Sequence, residues 1–529
     1  MNTSSTSDLC NTEVLTPVSF LRRAALVHAD RTALVDGPLQ LTYSELWDRT
    51  RRLAGGLVEA GIRAGERVAV LSSNSHVLLE SHYAVPLSGA VLVALNVRLS
   101  ADELGYIIGH SGARLLLCDA DLADLAAAAV AAAGTEVRAI REGTEYEALA
   151  DCDSAVEHVT ADERDLLAIN YTSGTTGRPK GVMYHHRGAY LQSLAMVVHS
   201  SLTSQSSFLW TLPMFHCNGW CFTWAVTAAG AAHVCLRQVE PARIWRAIDE
   251  FSITHFNAAP TVLIALANHE DAHERPIELA PIRVATGGSP PSPTLLARLE
   301  SLGIAVTHLY GLTESFGPVA ICDPQPGWDK LPEAERAVRR ARQGVPNLIA
   351  SPFRVVTSEG VDAPHDGESV GEVLLRGNDV MLGYFEDEQA TRDATQDGWL
   401  RTGDLGVIHP DGYLELKDRA KDVIISGGEN ISSVEVEQAI ASHPAVLDVA
   451  VVAVPDGRWG ERPAAWVVLK PSAMASAEEL RDHVCSRLAR FKAPDRFEFV
   501  DELPKTATGK IRKFELRRDA WGDSERRIA

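Results

Sequence analysis

The sequence predicts an α/β protein with a large N-terminal lobe of parallel and mixed sheets flanked by helices, an antiparallel subdomain, and a small α+β C-terminal unit. Three observations predict it. Strand-like and helix-like runs alternate repeatedly from Arg67 to Leu309, which implies parallel sheets covered by helices. From about Gly371 the texture changes to short alternating strands with Gly turns. After Lys421 a short series of helices and strands fits a compact unit of about a hundred residues. At 529 residues the chain is too long for one ordinary core, so two or more domains are expected.

The elements follow in order. A strand at 67–71 leads to a helical pattern from His76, then strands at 91–95 and 114–118. The Ala-rich stretch 122–133 is a capped helix, with Asp121 and Asp124 at its start and Gly134 past its end. Strands at 254–258, 283–286 and 305–309 each run into a distinctive motif at the C-terminal end, where ligands sit in open α/β sheets. Gly turns flank 371–376 and 411–416 in the antiparallel part. The small unit reads as helix 434–442, strands 447–454 and 464–469, helix 477–491 and strand 496–500.

Hydrophobic residues at 46% and charged residues at 23% describe a globular protein, and a formal charge of −20 argues against nucleic acid or an anionic membrane as partner. No stretch approaches the ~18 consecutive apolar residues of a membrane span. The polar start, Met1 to Asp8, lacks the basic and apolar segments of a signal peptide and is expected to be a short disordered lead-in. The cysteines at 10, 118, 152, 217, 221, 235, 322 and 485 form no C-x-x-C pair, which suits reduced thiols in the cytoplasm. His216, Cys217 and Cys221 lie close in sequence, but in an apolar aromatic stretch without a second ligand cluster, so zinc is not expected.

The densest chemical signal is Tyr171-Thr-Ser-Gly-Thr-Thr-Gly-Arg-Pro-Lys180-Gly181. Glycines let backbone N–H groups converge on an anion, hydroxyls add donors, and a lysine adds charge, so the run reads as a phosphate cradle at a strand end. It is not the G-x-x-x-x-G-K-[ST] loop, because Gly174 and Gly177 are three apart and Gly181 follows Lys180.

This string resembles the phosphate-loop motif of the adenylate-forming superfamily, which includes acyl-CoA synthetases, amino-acid adenylation domains and beetle luciferases. Further motifs of that superfamily follow in its order: Pro213-Met-Phe-His216, Tyr310-Gly-Leu-Thr-Glu314, Arg401-Thr-Gly-Asp404, Asp418-Arg-Ala-Lys-Asp422, Ser426-Gly-Gly-Glu-Asn430 and Pro504-Lys-Thr-Ala-Thr-Gly-Lys510. The chain looks closest to fatty acyl-CoA synthetases of the short- and medium-chain type. The resemblance implies an adenylation domain over 1–418, a hinge at 419–421 with Lys421 as its pivot, and a mobile domain over 422–529.

It further implies site residues, each carried to the matching position. Thr172, Ser173, Gly174, Thr175, Thr176, Gly177 and Lys180 would surround the ATP phosphates, with Thr172 and Glu314 associated with magnesium and Thr313 at the α-phosphate. Gly287, Gly288 and Ser289 would face Tyr310 across the adenine, and His308 and Gly311 would belong to the same ATP/AMP-binding set. Asp404 would accept both ribose hydroxyls, Arg419 would add a ribose contact, and Lys421 would complete the ATP set. Lys510 would bridge carboxylate and α-phosphate as charge develops. His216 would stand where the acyl and pantetheine tunnels join. Trp220, Ala258, Ala259 and Gly287 would line the acyl pocket, and Gly427, Gly428, Trp459 and Phe491 would meet CoA.

The implied activity is ATP-dependent adenylation of a carboxylic acid with release of pyrophosphate, then transfer to CoA, with ATP, Mg2+ and CoA required. The alternative is an adenylating enzyme whose acceptor is a carrier-protein thiol or an amine. Amino-acid-activating relatives carry Asp after Phe where this chain has Phe215-His216, which disfavours an amino-acid substrate. The small residues Ala258, Ala259, Ala285 and Gly287 favour an aliphatic carboxylate, and the insert at 328–342, which resembles that of a subset of the family acting on short and medium aliphatic or thioether acids, tilts the expectation towards short or medium chains. One departure is Ile425, at a position where some long-chain relatives carry Lys. Synthetases of this kind are often homodimers, so that assembly is expected from the resemblance alone.

Overall fold

The computed structural model describes residues 13–156, 162–172, 178–273, 279–288, 291, 293–506 and 511–521. Within them the strands form four sheets. A six-stranded sheet has the order Arg138–Arg141, Ala113–Cys118, Arg67–Leu71, Val91–Leu95, Leu166–Thr172, Lys180–His185, parallel except for the last pair. Its inner strands, Arg-Val-Ala-Val-Leu and Val-Leu-Val-Ala-Leu, are apolar almost throughout, as strands covered on both faces require.

A nine-stranded sheet carries Ser207–Trp210, His255–Asn257, Ile282–Thr286 and Ile304–Leu312 as parallel neighbours, with antiparallel strands at its edges. The helix His76–Leu87 touches strands of both large sheets, and all twelve of its residues are buried. That is why it has no polar face despite containing Glu80, Ser81 and His82: the core surrounds it.

A five-stranded antiparallel sheet includes Gly371–Leu375, Trp399–Ile408 and Leu414–Arg419. The C-terminal sheet holds Ile424–Ser426, Glu429–Ile431, Val446–Asp456, Gly460–Leu469 and Arg496–Phe499, covered by the helices Ser433–Ala441 and Ala477–Cys485. The expected helix over 477–491 is therefore shorter. Beyond its C-cap, Ser486, the chain reaches a 3-10 segment, Arg490–Lys492, where the buried guanidinium of Arg462 donates to the carbonyls of Phe491 (2.5 Å) and Ala493 (3.2 Å).

A buried carboxyl predicts a pH effect on stability. Asp379 is fully buried, with one oxygen accepting from Asn347 Nδ2 at 3.1 Å, and burial pushes its pKa up to about 7. Between roughly pH 4 and 7 the folded state then holds a proton that the unfolded state has released, so stability falls as pH rises through that window. We expect Asp379→Asn to be more stable than wild type at pH 8, by at most about 4 kcal/mol, and to lose the advantage at pH 4. Thermal midpoints across pH check this; parallel curves for the two proteins would refute it.

Candidate active site

The glycine-rich run joins two antiparallel strands whose register pairs Thr172 with Lys180. Its central residues, Ser173, Gly174, Thr175, Thr176 and Gly177, lie outside the described residues, as do Ser289 and Lys510. The stem is braced from the side, where Tyr171 Oη meets His110 Nδ1 at 2.8 Å.

Next to this hairpin the strand Ile304–Leu312 ends in a single 3-10 turn, Thr313–Ser315. A bulge separates Tyr310 from Gly311, and a Cβ at Gly311 would lie 1.8 Å from the carbonyl oxygen of Gly317. Only glycine fits between Tyr310 and Leu312, which explains the Tyr-Gly-Leu-Thr-Glu spelling.

These elements surround a cavity of about 450 Å³. Thr172 and Lys180 reach it from the hairpin, and Gly287, Gly288, Tyr310, Gly311, Thr313 and Glu314 from the nine-stranded sheet. His216, Trp220 and Ala259 line another wall, Arg419 comes from the antiparallel sheet, and Thr506 comes from the C-terminal part.

Asp404 stands just outside that lining. It is buried, accepts from Tyr310 Oη at 2.7 Å, and pairs with Arg419 Nε at 3.1 Å across neighbouring strands. Each carboxylate oxygen keeps a second lone pair for a further donor. Burial and the Asp404 charge raise the Tyr310 pKa well above the usual phenol value, so its hydroxyl stays a donor.

Glu314 Oε1 accepts from Tyr384 Oη at 2.9 Å, and Lys180 Nζ stands 4.9 Å from the centre of the same ring. One aromatic side chain thus organises a carboxylate and an ammonium on the same wall. Tyr384 escaped the sequence reading because Gly383-Tyr384-Phe385 has no spacing that separates it from a packing aromatic. Thr313 is equally fixed, its carbonyl accepting from Tyr184 Oη at 2.6 Å and its hydroxyl from Cys217 Sγ at 3.4 Å. Burial pushes the Cys217 thiol up to about 12, so it acts as a donor rather than a nucleophile.

The wall that carries His216 and Trp220 has an unusual backbone. Cys217, Asn218, Gly219, Trp220 and Cys221 have φ of 49, 43, 60, 58 and 63°, five consecutive residues in the left-handed region. Each non-glycine residue there costs roughly 1–2 kcal/mol. Trp220 fits between two glycines: a Cβ at Gly287 would meet its ring at 3.3 Å, and one at Gly317 would meet it at 3.1 Å.

Other expected residues lie elsewhere. Ala258 is buried in the packing around the nine-stranded sheet and does not line the cavity. His308 is buried, with Nδ1 donating to the carbonyls of Ala341 (2.9 Å) and Arg342 (3.0 Å), and burial lowers its pKa to about 4. Lys421 is lowered to about 8 by burial and by the neighbouring Arg419. Its flanks are held on both sides: Asp418 accepts from the Ser433 N–H at 2.6 Å, and Asp422 pairs with Arg517.

The four residues expected at CoA belong to the C-terminal part and do not line the cavity: Gly427, Gly428 and Trp459 are in turns of its sheet, and Phe491 is in the 3-10 segment Arg490–Lys492. Gly427 and Gly428 have φ of 61 and 92°, and a Cβ at Gly427 would meet the Trp459 ring at 2.7 Å. Trp459 is 45% exposed and Phe491 is 41% exposed. Among the described residues no group of three or more His, Cys, Asp or Glu side chains is placed to hold a metal ion. Thr172 and Glu314 both line the cavity, and a hydroxyl and a carboxylate are oxygen donors of the type that magnesium takes.

Comparison with known proteins identifies the family. The model of the AMP-binding enzyme family matches residues 21–385, and that of the AMP-binding enzyme C-terminal domain matches 435–510. An acetate–CoA ligase of Humulus lupulus is 41% identical, with 96% of this chain and 95% of that protein covered. The peroxisomal benzoate–CoA ligase of Arabidopsis thaliana is 40% identical, with 97% and 94% covered. The crystal structure of an anthranilate CoA ligase in complex with anthranoyl-AMP superposes with a TM-score of 0.87 at 28% identity, covering 98% of this chain and 99% of that one. An o-succinylbenzoate CoA synthetase of Bacillus subtilis in complex with its acyl-adenylate reaches 0.80 at 28% identity, over 96% and 98%. On the length of these matches and the identity of the relatives, the chain belongs to the AMP-binding enzyme family.

Proposed function

We propose that the protein joins a carboxylic acid to CoA in two steps: adenylation by ATP with loss of pyrophosphate, then thioester formation with loss of AMP. The observation that carries this reading is one cavity where a hairpin lysine, a Thr-Glu turn and an apolar wall ending at Trp220 meet. In this reading the acid oxygen attacks the α-phosphorus in line with the departing pyrophosphate, and the site's task is to position the two. Asp404 holds the ribose, Tyr310 and the 287–288 backbone flank the adenine, and Thr313 donates to the α-phosphate. Lys180 neutralises the leaving phosphates, with magnesium at Thr172 and Glu314 supplying further charge stabilisation when bound.

The substrate in this reading is a short or medium aliphatic acid. Support comes from Trp220, whose ring lies against Gly287 and Gly317, and from relatives named for acetate, butyrate and 2-methylpropanoate, while relatives named for benzoate and trans-cinnamate make aromatic acids the competing class. Purified protein with ATP, magnesium and a panel of straight-chain, branched and aromatic acids, with and without CoA, tests it by mass spectrometry of the products. Acyl-CoA from short or medium acids is expected; acyl-AMP that no CoA consumes would point to a carrier-protein thiol or an amine as acceptor.

We further propose that 419–421 is the hinge between an adenylation domain, 1–418, and a mobile domain, 422–529, and that rotation there brings the 426–430 turn to the cavity. Gly427 and Gly428 let the thin pantetheine arm pass the backbone. Gly428→Leu is therefore expected to spare acyl-AMP formation and to slow thioester formation from supplied acyl-AMP by about tenfold or more. Thioester formation at the wild-type rate would mean that CoA does not pass this turn. A cytoplasmic location belongs to the same proposal, and the peroxisomal location of several relatives makes imaging of a fluorescent fusion its direct test.

A further inference from the structure

The left-handed turn at 217–221 is clamped by a chain of side-chain amides that leads into the core. Asn218 N–H donates to Asn170 Oδ1 at 3.2 Å, and Asn170 Nδ2 donates back to Asn218 Oδ1 at 2.6 Å. Asn218 Nδ2 then donates to His82 Nε2 at 3.0 Å, and His82 Nδ1 donates to the carbonyl of Leu78 at 2.7 Å. Every polarity in the chain agrees. His82 must be the neutral tautomer with the proton on Nδ1, and full burial, which lowers its pKa to about 4, keeps it so. All three side chains are buried at 2% exposure or less, so each lost partner leaves a polar group without water.

This chain joins three separate elements. Asn170 belongs to the hairpin strand Leu166–Thr172, two residues before Thr172, and itself lines the cavity. Asn218 is in the turn that carries His216 and Trp220, and His82 is in the fully buried helix His76–Leu87. A backbone with five left-handed residues does not hold its place by local preference and takes it from such contacts.

We propose that Asn170, Asn218 and His82 are positioning residues that hold Trp220 at a fixed depth and thereby set the longest acid the pocket accepts. This rests on the acyl-pocket reading given above. Loosening the clamp lets Trp220 withdraw, which admits longer chains and weakens the hold on short ones.

The experiment compares wild type, Trp220→Ala, His82→Phe, His82→Gln, Asn170→Ala and Asn218→Gly. Its readouts are kcat/KM for straight-chain acids of increasing length, KM for ATP and the thermal midpoint. His82→Phe keeps a ring but removes the acceptor, while His82→Gln restores one; Asn218→Gly tolerates positive φ but lacks the amide. We expect His82→Phe, Asn170→Ala and Asn218→Gly to shift the ratio of long-acid to short-acid kcat/KM by about tenfold towards long acids. The shift arises mainly through KM for the acid, and His82→Gln lies near wild type. An equal loss on every acid, or an unchanged preference in all three variants beside a shifted Trp220→Ala, overturns the clamp while leaving the pocket reading in place. If Trp220→Ala itself leaves the preference unchanged, the acyl-pocket reading fails and takes the inference with it.

Discussion

Asp404→Ala is expected to lower kcat/KM for ATP by about 100-fold or more. The carboxylate is buried and holds two partners at once, Tyr310 Oη at 2.7 Å and Arg419 Nε at 3.1 Å. Its removal leaves a buried phenol without an acceptor and a half-buried guanidinium without a counter-charge, besides taking away the proposed acceptor of the ribose hydroxyls. Structural damage and lost recognition separate with 2′-deoxy-ATP. Wild type should discriminate against it, whereas Asp404→Ala and Asp404→Asn should treat the two nucleotides more alike. A variant that loses thermal stability but keeps the wild-type discrimination would show that Asp404 is only a structural acceptor.

Lys510→Ala is expected to reduce acyl-AMP formation by about 100- to 1,000-fold while sparing thioester formation from supplied acyl-AMP. Thr506, four residues earlier in the chain, lines the cavity, and the ion pair of Lys505 with Asp448 at 2.6 Å anchors that stretch to the C-terminal sheet. The proposed role is a charge delivered to the carboxylate and α-phosphate in the first step and withdrawn in the second. Rapid-quench measurement of each half-reaction decides it. An equal loss in both steps would sink the account in which the mobile domain serves them in alternate orientations.

The two predictions differ in how far the sequence could reach them. Lys510 is marked by a hydroxyl-rich, Gly-containing turn whose spelling is local. Asp404 is marked by a similar local turn, but its clasp with Tyr310 spans 94 positions and depends on the nine-stranded and antiparallel sheets meeting. The same contrast appears in the small domain. The strand at 496–500 was legible in the sequence, whereas the helix expected through 491 stops at Cys485, and the residues after it are held instead by Arg462, from a distant strand, which donates to the carbonyls of Phe491 and Ala493.

By itself, the sequence determined the α/β class, the order of the lobes and the positions of the chemical motifs. Those depend on hydrophobic period and on residues whose backbone or side-chain chemistry acts within a few positions, such as the glycine at 311. Tertiary structure alone decided which motif side chains share the cavity, that Tyr384 serves both Lys180 and Glu314, and that Ala258 and His308 turn away from it. It also decided that Asn170, Asn218 and His82 close one hydrogen-bonded chain across 48 and 136 positions. The physical reason is that burial and partner geometry are set when distant strands pack, and no local preference selects a run of left-handed residues that only those contacts repay.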